Sequence, residues 1–406
     1  MNILFLTIAE LKDIREHTVY CDLLRCFQEN GHEIYTISPY ERRTGKKTKY
    51  SDTDGAHMLN VSTGNITKCG LFEKGISTLL IEFIFLRGVK KYFKDIKFDL
   101  VLYSTPPITF YRTICFVKKR DCARSYLLLK DIFPQNAVDI GLISTKGVKG
   151  LIYSFFRAKE KRLYAISDRI GCMSQANVDY VIRQNPEINP EIVEVCPNCV
   201  EVIDKSIEEK VRVKIRTKYE IPLDKTVFVY GGNLGKPQGI DFLIQCLHGQ
   251  RKNKKAFYLI VGDGTEYGKL EQFIQKYPQD NVKLMRKLPK EDYDRVVAAC
   301  DVGMIFLDNR FTIPNFPSRL LSYMQAKIPV FACTDISTDM GHVLVEEGFG
   351  WWCRSDSVEG FQRMVKFILA QELEEINDMK NREWKFLNEQ YSCDLSYQKI
   401  IKALKR

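Results

Sequence analysis

The chain has 406 residues, of which 45% are hydrophobic and 28% charged, and its formal net charge is +10. The length suits a folded protein with two domains, and the composition argues against a disordered or fibrous chain. The longest apolar run, residues 75–86, is interrupted by Glu82 and is too short to span a membrane. The positive charge suits an anionic partner such as nucleic acid, a membrane surface or a phosphorylated substrate.

The first half of the chain alternates short apolar strands with helical segments. Strands are predicted at residues 3–9, 33–38, 100–105, 125–132 and 169–174. Between the first two strands, Val19, Leu23 and Phe27 recur every four residues, which predicts a helix ending at Asn30-Gly31. This order of elements is typical of a doubly wound parallel sheet.

A second strand–helix series follows the Pro-containing stretch 195–200. After a charged helix at 205–219, strands are predicted at 227–232, 256–262, 282–288, 302–307 and 329–334. We therefore predict an α/β fold with two Rossmann-like, doubly wound domains that face each other across a cleft. The predicted domains are residues 1–203 and 204–380, and a helical segment at 381–406 is expected to pack back on the first domain.

The amino terminus and the cysteines indicate a reducing compartment. No Lys or Arg precedes Lys12, so the first residues are predicted to form a buried strand and not a signal peptide. The 13 cysteines have no framework spacing, which favours small apolar core residues in a cytoplasmic protein. Cys196 and Cys199 form a CxxC pair without a second pair nearby, so we interpret them as core residues too.

Two segments of the second half have the features of an anion site. Gly231, Gly232 and Gly235 permit tight turns that bring backbone N–H groups close to a phosphate. In the second segment, Pro317 and Ser318 predict the start of a helix with the Ser hydroxyl as its N-cap. Arg319 would add a permanent charge to the positive end of that helix.

In their order, segments 230–243, 259–273, 282–307 and 311–335 resemble the retaining glycosyltransferases of family 4, which have the GT-B fold. Segments 5–24, 30–43, 128–141 and 159–177 resemble a subgroup from bacterial capsule and O-antigen clusters that also carries the Pro-Ser-(Lys/Arg) form. Family members often have Arg and Lys where Asn233 and Gln238 stand, and two Glu residues where Pro314 and Ser322 stand.

The resemblance implies that the second domain binds a nucleotide-sugar, with a UDP-sugar as the expected donor. The donor residues that it implies are Gly231, Gly232, Asn233, Lys236, Gly262, Gly264, Arg286, Lys287, Leu288, Ser318, Arg319, Leu320 and Ser322. It also implies transfer of a hexosyl or N-acetylhexosaminyl group with retention. No metal or other cofactor is expected, because the helix terminus and the cations stabilise the leaving diphosphate.

The first domain is expected to bind the acceptor. The loop 9–17 leaves the first strand, and Glu10, Arg15 and His17 are its candidates for acceptor contacts. Asp131 ends a strand where a carboxylate could stabilise positive charge on the sugar or accept a hydroxyl hydrogen bond. Asp131 and His17 are the candidate catalytic residues. Alternatively, Asp131 caps the following turn, and His17 is a helix-entry residue.

Three other functions compete with glycosyl transfer. A non-hydrolysing sugar-nucleotide epimerase has the same architecture, but it needs several acid–base residues and the chain has five His. A nucleic-acid binder would show a recognisable binding module, and none is found. A dinucleotide oxidoreductase would have Gly-x-Gly-x-x-Gly after its first strand, where Thr7 to Lys12 stand instead.

Basic residues cluster in the first domain and predict contact with an anionic membrane that carries a lipid-linked saccharide acceptor. The cluster consists of Arg87, Lys90, Lys91, Lys94, Lys97, Arg112, Lys118, Lys119, Arg120 and Arg124. The aromatic residues expected to accompany it in an interfacial helix are Phe83, Phe85, Tyr92, Phe93 and Phe98. The expected location is therefore peripheral, on the cytoplasmic face of the cell membrane. The alternative is a solvated basic face on helices packed in the ordinary way.

Overall fold

The chain divides into two compact units in the computed structural model, which describes residues 1–53, 55–67 and 69–405. Unit 1 contains residues 1–201 and the carboxyl-terminal segment that begins at Ser392, and unit 2 contains residues 202–391. The return to unit 1 therefore comes later than the position 381 expected from the sequence. A continuous helix from Leu373 to Gln390 runs through that position and belongs to unit 2.

Unit 1 is built on an eight-stranded sheet. Its strands are β1 (Asn2–Leu6), β2 (Glu33–Glu41), β3 (Lys49–Thr53), β4 (Ala56–Thr63), β5 (Leu100–Ser104), β6 (Arg124–Leu129), β7 (Arg169–Cys172) and β8 (Val193–Val195). Its helices are α1 (Val19–Glu29), α2 (Leu71–Tyr92), α3 (Tyr111–Asp121), α4 (Gln135–Asp139), α5 (Gly147–Ile166), α6 (Gln175–Gln184) and the last helix of the chain, α15 (Cys393–Leu404). The strand order is β3-β4-β2-β1-β5-β6-β7-β8.

Unit 2 is built on a six-stranded parallel sheet in the order β11-β10-β9-β12-β13-β14. Its strands are β9 (Thr226–Asn233), β10 (Ala256–Asp263), β11 (Val282–Met285), β12 (Val302–Phe306), β13 (Val330–Thr334) and β14 (Gly350–Arg354). Its helices are α7 (Glu209–Lys218), α8 (Ile240–Gly249), α9 (Tyr267–Lys276), α10 (Lys290–Ala298), α11 (Arg319–Ala326), α12 (Met340–Glu346), α13 (Val358–Ile368) and α14 (Leu373–Gln390). Both units therefore have the expected doubly wound α/β fold.

Local sequence signals place several of these elements. Helix α1 begins after Thr18, whose hydroxyl accepts a hydrogen bond from the Cys21 N–H, and it ends before Gly31, which has a φ of +77°. The buried residues Leu23 and Phe27 face the sheet. In unit 1, α15 packs against α1. Cys196 and Cys199 are free thiols in the same core, as the interpretation of the CxxC pair expected.

Four strands lie outside the predicted series. The segments involved are β3, β4, β8 and β14, and β3 pairs with β4 in the antiparallel direction at the edge of the sheet. These strands are short or mixed in polarity, so their pairing depends on the neighbouring strand and not on a pattern of their own. Strand β4 shows this because it continues the parallel register of β2 from Ile34↔Ala56 to Glu41↔Thr63.

The aromatic residues predicted for an interfacial helix divide between the core and the surface. Phe85, Phe93 and Phe98 are fully buried against the sheet, so the prediction was wrong for these three. Phe83 and Tyr92 are exposed. The difference arises because α2 presents one face to the sheet, and only the opposite face is available to a partner.

Two members of the basic cluster have structural roles instead. The Lys118 ammonium contacts the Asp168 carboxylate at 2.7 Å, and the Arg120 guanidinium bonds to Asp121 and to the carbonyl oxygens of Phe93 and Ile96. Their charges are neutralised within unit 1. The surface charge of this region therefore comes from the remaining exposed members of the cluster.

Candidate functional site

The first residue of α11 carries the clearest sign of a ligand site in unit 2. The guanidinium carbon of Arg319 lies 4.3 Å from the centre of the Tyr230 ring. Its Nη1 atom is buried and has no hydrogen-bond partner among the residues that the structure describes. A buried polar group without a partner is costly in free energy. Arg319 is therefore positioned to bind an anion.

Three tyrosines surround this guanidinium. Burial acts to lower the pKa of Arg319, but Tyr230, Tyr323 and Tyr293 outweigh that effect and leave the pKa above its ordinary value. The group is therefore positively charged at neutral pH. Stacking on the Tyr230 ring also holds the guanidinium plane in place without using its hydrogen-bond donors.

The same tyrosines fix the carboxyl end of β9. The Tyr323 hydroxyl lies 3.0 Å from the Met304 carbonyl oxygen, and it accepts the N–H of Gly231 at 3.4 Å. A Cβ atom on Gly231 would lie only 1.8 Å from the Tyr293 hydroxyl, so this position has no room for a side chain. Gly232 follows with a φ of +115°, a conformation that favours glycine. The glycine pair thus lets the end of β9 lie next to Arg319.

The turn after β9 is closed by Gln238. Its Oε1 atom accepts a hydrogen bond from Asn233 Nδ2 at 3.0 Å and another from the Gly235 N–H at 3.2 Å. Asn233 and Gln238, two positions at which the sequence departs from the family that it resembles, therefore bond to each other. Lys236 is exposed on the same turn and is its one lysine.

Two further glycines on the predicted donor side allow two backbone segments to pack closely against each other. A Cβ atom on Gly262 would lie 2.0 Å from the Gly232 carbonyl oxygen, and one on Gly264 would lie 2.3 Å from the Leu234 carbonyl oxygen. Both glycines lie where the end of β10 approaches the turn after β9. They shape the edge of the candidate site through the backbone.

The residues after β11 are engaged locally. The Arg286 guanidinium carbon lies 3.5 Å from the centre of the Tyr267 ring, and its Nη1 atom is 3.6 Å from an Asp263 carboxylate oxygen. Lys287 is exposed and Leu288 is half-buried. The charge of Arg286 is therefore offset by acidic neighbours within unit 2, and in this respect Arg286 differs from Arg319.

The start of α11 differs in one detail from the prediction. Ser318 occupies the N-cap position, but its backbone is helical (φ −66°, ψ −9°) and its hydroxyl does not cap the helix. A side-chain N-cap requires extended backbone at that residue, so the predicted hydroxyl cap was wrong. The Leu320 side chain is buried and its N–H bonds to the Pro317 carbonyl oxygen at 3.2 Å, while Ser322 is half-buried.

In unit 1, Asp131 follows β6 at the carboxyl edge of the sheet. Its Oδ2 atom accepts a hydrogen bond from Asn136 Nδ2 at 2.7 Å, and its carbonyl oxygen accepts one from the Thr105 hydroxyl at 3.2 Å. Burial raises the pKa of Asp131 to about 6, and the hydrogen bond from Asn136 opposes that rise. A carboxylate with such a pKa at a strand end is a candidate acid–base group.

The three candidates on the loop after β1 each have a partner within unit 1. The Glu10 carboxylate contacts the Lys46 ammonium at 2.8 Å. Arg15 bonds to Asp13 through its Nε and Nη2 atoms, and the side-chain bond from Arg15 lowers the pKa of Asp13 to about 2. His17 directly precedes Thr18, the N-cap of α1, as the helix-entry alternative expected.

His17 also belongs to the group of potential metal ligands found in the described part of the chain, together with Asp22 and Glu201. Arg25 lies among them. Its Nη2 atom is 2.6 Å from Asp22 Oδ1, 3.0 Å from Glu201 Oε2 and 3.1 Å from His17 Nδ1. The Arg25 guanidinium already supplies the positive charge that a metal ion would bring to these ligands, so the cluster does not fit a further cation.

Sequence reasoning missed the tyrosines around Arg319. Tyr323 lies four residues after Arg319 on α11, a spacing that puts both side chains on one face of the helix, and this signal was available. Tyr230 and Tyr293 come from β9 and α10, and no spacing connects them with Arg319. Only the packing of these elements brings the aromatic rings to the guanidinium.

Comparison with known proteins finds sequence similarity to glycosyltransferases. Residues 211–385 match the family model described as glycosyl transferases group 1. The chain is 23% identical over 340 residues to the probable glycosyltransferase WbjE of Pseudomonas aeruginosa, across 82% of this chain and 81% of that protein. It is also 23% identical over 304 residues to the putative colanic acid biosynthesis glycosyl transferase WcaI of Escherichia coli (strain K12), across 72% of each. These matches do not favour the epimerase alternative.

Solved structures show the same fold at low sequence identity. Anabaena Alr3699/HepE, in complex with UDP, superposes with a TM-score of 0.68 at 13% identity and covers 100% of both chains. WaaG, a glycosyltransferase involved in lipopolysaccharide biosynthesis, has a TM-score of 0.68 at 13% identity and covers 98% of this chain and 99% of its own. Within the described residues, no helix is long and apolar enough to cross a membrane. The match over residues 211–385, the two glycosyltransferase relatives and the GT-B fold make the chain similar to the group 1 glycosyltransferases.

Proposed function

We propose that the chain transfers a hexosyl or N-acetylhexosaminyl group from a UDP-sugar to a lipid-linked saccharide during the synthesis of a surface polysaccharide such as capsule or O-antigen. The observation that carries this proposal is the buried Nη1 atom of Arg319, which lies beside the glycine turn after β9 and has no hydrogen-bond partner among the described residues. A charged, bidentate donor at a helix start suits a diphosphate.

Properties of related proteins support the choice of substrates. HepE has been crystallised with UDP and with UDP-glucose, and the names of WcaI and WaaG refer to colanic acid and lipopolysaccharide biosynthesis. We infer from these names a nucleotide-sugar donor and a growing surface glycan as acceptor. A lipid-linked acceptor would require the enzyme to work on the cytoplasmic face of the membrane.

The proposed chemistry assigns a role to each candidate group. Arg319 and the start of α11 stabilise the negative charge that develops on the leaving diphosphate, without a metal ion. Asp131 stabilises positive charge on the sugar or accepts a hydrogen bond from a hydroxyl group in unit 1. The transfer proceeds with retention, as in the family 4 enzymes that the sequence resembles.

Incubation with a panel of UDP-, GDP- and ADP-sugars tests the proposed donor. Binding is measured by calorimetry, and slow hydrolysis of the sugar–phosphate bond is followed by release of the nucleoside diphosphate. We expect a UDP-sugar to bind most tightly and to be hydrolysed with release of the α-anomer. Tighter binding of a GDP- or ADP-sugar, or release of the β-anomer, would contradict the donor or the retention.

A further inference from the structure

Helix α2 carries a row of exposed apolar side chains. Ile76, Leu80 and Phe83 are spaced by four and three residues, so they lie on one face of the helix, and each is about half exposed (45%, 47% and 52%). The opposite face of α2 is packed in the core through residues such as Phe85. The helix is therefore apolar on two sides, and the sheet of unit 1 covers only one of them.

Helix α5 carries a matching row. Val148, Leu151 and Phe155 have the same helical spacing and are 79%, 73% and 48% exposed. Large apolar side chains this exposed are unusual when they occur together on one face. The α5 row lies in the amino-terminal half of its helix, and the α2 row extends from the second turn of α2 to its middle.

The two rows lie near each other on unit 1. Helices α2 and α5 both pack against α3, and the Lys159 ammonium reaches across to the Glu82 carboxylate at 3.0 Å. A groove of about 380 Å³ separates the helices, and Arg112 and Arg162 are among its lining residues. The Arg112 guanidinium also lies 5.0 Å from the centre of the exposed Phe83 ring.

The charge around these rows is positive. Arg87 continues the α2 row and Lys149 adjoins the α5 row, and both are exposed. Two acidic residues of these helices do not offset this charge at the surface, because both are buried and paired: Glu82 with Lys159, and Glu160 with Arg157 at 2.7 Å. Apolar rows flanked by free cations are the pattern of a surface that enters an anionic lipid interface.

The position of the rows relates them to the candidate acceptor site. Helices α2 and α5 follow strands of the parallel sheet, so their amino-terminal halves lie at its carboxyl edge, where Asp131 is found. Contacts support this placement, since the Phe156 ring lies 5.2 Å from that of Phe133, and the Tyr153 hydroxyl donates to Gln135 Oε1 at 3.2 Å. The loop after Asp131 therefore packs directly on α5.

We infer that the two apolar rows of α2 and α5 form the face that docks unit 1 on an anionic bilayer, with both rows inserted below the headgroups. The rows hold the carboxyl edge of the sheet, and with it Asp131, close to the bilayer surface, where the acceptor hydroxyl of a short lipid-linked saccharide lies. The role of the docking in glycosyl transfer rests on the proposed function. The docking itself does not require a bound nucleotide. Basic residues add about fivefold each to the affinity for an anionic surface.

Sedimentation with vesicles tests the inference on the full chain. Vesicles of phosphatidylglycerol mixed with phosphatidylcholine are compared with vesicles of phosphatidylcholine alone. We expect binding to the anionic vesicles, and a loss of at least about tenfold in the variant Leu80→Gln/Leu151→Gln, because each apolar side chain that fails to insert removes a large share of the affinity. Wild-type binding should persist in part at about 1 M salt, where the Debye length is only about 3 Å.

Two control variants show whether a loss of vesicle binding is specific to this face. The variant Phe367→Gln/Leu373→Gln changes two exposed apolar residues of unit 2 and should bind vesicles like the wild type. Arg319→Ala should also keep vesicle binding while losing nucleotide affinity, so failure of the donor site and failure of the docking face give different results. The inference is overturned if the wild type binds no vesicles, or if Leu80→Gln/Leu151→Gln binds as well as the wild type. It is also overturned if sedimentation velocity shows a dimer that these substitutions dissociate.

Discussion

At the scale of single residues, Arg319 combines a permanent charge with a buried nitrogen that lacks a partner among the described residues. The Tyr230 ring holds it in place, and the close approach of β9 is possible because Gly231 has no side chain. Pro317, Ser318 and Arg319 could be recognised in the sequence as a helix start. The tyrosines that position the guanidinium come from other elements and could not.

Replacing Arg319 by Ala should weaken the binding of UDP by about 1.5–3 kcal/mol, the contribution of a hydrogen bond to a charged group. Titration calorimetry measures the change. The variant Arg363→Ala removes the same charge from an exposed position on α13 and serves as the control. Equal affinities of wild type and Arg319→Ala for UDP would show that the diphosphate binds elsewhere.

Asp131 is expected to act in its ionised form, so its pKa of about 6 predicts the pH dependence of the reaction. Activity should decline as the pH falls through about 6, because protonation removes the negative charge. Asp131→Asn should lower kcat by about 10²-fold or more at pH 7 and should remove this decline from what activity remains. Normal turnover in the variant would favour the alternative role of Asp131 in the following turn.

The same pKa predicts an opposite effect on stability. A carboxyl whose pKa is higher in the folded chain than its ordinary value of 3.8 contributes stability that is full below pH 3.8 and is lost as the pH rises through about 6. Asp131→Asn should therefore raise the free energy of unfolding by about 1–2 kcal/mol near pH 8, and the gain should disappear near pH 4. Urea unfolding at both pH values measures it. A gain that does not change with pH would contradict this cause.

At the scale of elements, α14 contains a residue that its sequence pattern would not place in a core. Met379, Glu383 and Leu387 recur every four residues and are all buried, and Glu383 is completely so. Neither of its carboxyl oxygens has a hydrogen-bond partner among the described residues, and burial raises the pKa of Glu383 well above its ordinary value. A helix pattern would normally assign Glu to the exposed face.

Replacing Glu383 by Met should stabilise the protein near neutral pH by about 1–3 kcal/mol, because an unpaired buried polar group is removed. The wild type loses stability as the pH rises from the ordinary pKa of a Glu side chain toward its raised value in the fold, so the gain should increase with pH. Thermal melts at pH 5 and pH 8 measure this trend. As a control, Glu374→Met changes an exposed position on the same helix and should leave the melting temperature nearly unchanged. If Glu383→Met instead lowers the melting temperature, the Glu383 carboxyl has an unrecognised partner.

At the scale of the whole molecule, the proposed reaction depends on cations supplied by the chain itself. In that proposed reaction, Arg319 and the start of α11 neutralise the leaving diphosphate in place of a metal. We expect full transfer activity in excess EDTA, measured as release of the nucleoside diphosphate. Loss of activity that Mg²⁺ restores would refute the metal-free mechanism.

The sequence by itself determined the alternation of strands and helices, the two α/β units and the glycine and Pro-Ser-Arg segments, because periodicity and turn chemistry are local. The glycosyltransferase assignment also came from the sequence, through the order of four segments. Only the tertiary structure decided that Phe85 is core while Phe83 is surface, and that Asn233 bonds to Gln238. It also decided that Arg319 rests on Tyr230. The contacts of Phe85 and Arg319 join residues from different elements, and the free energy that selects them comes from packing, which no local pattern records.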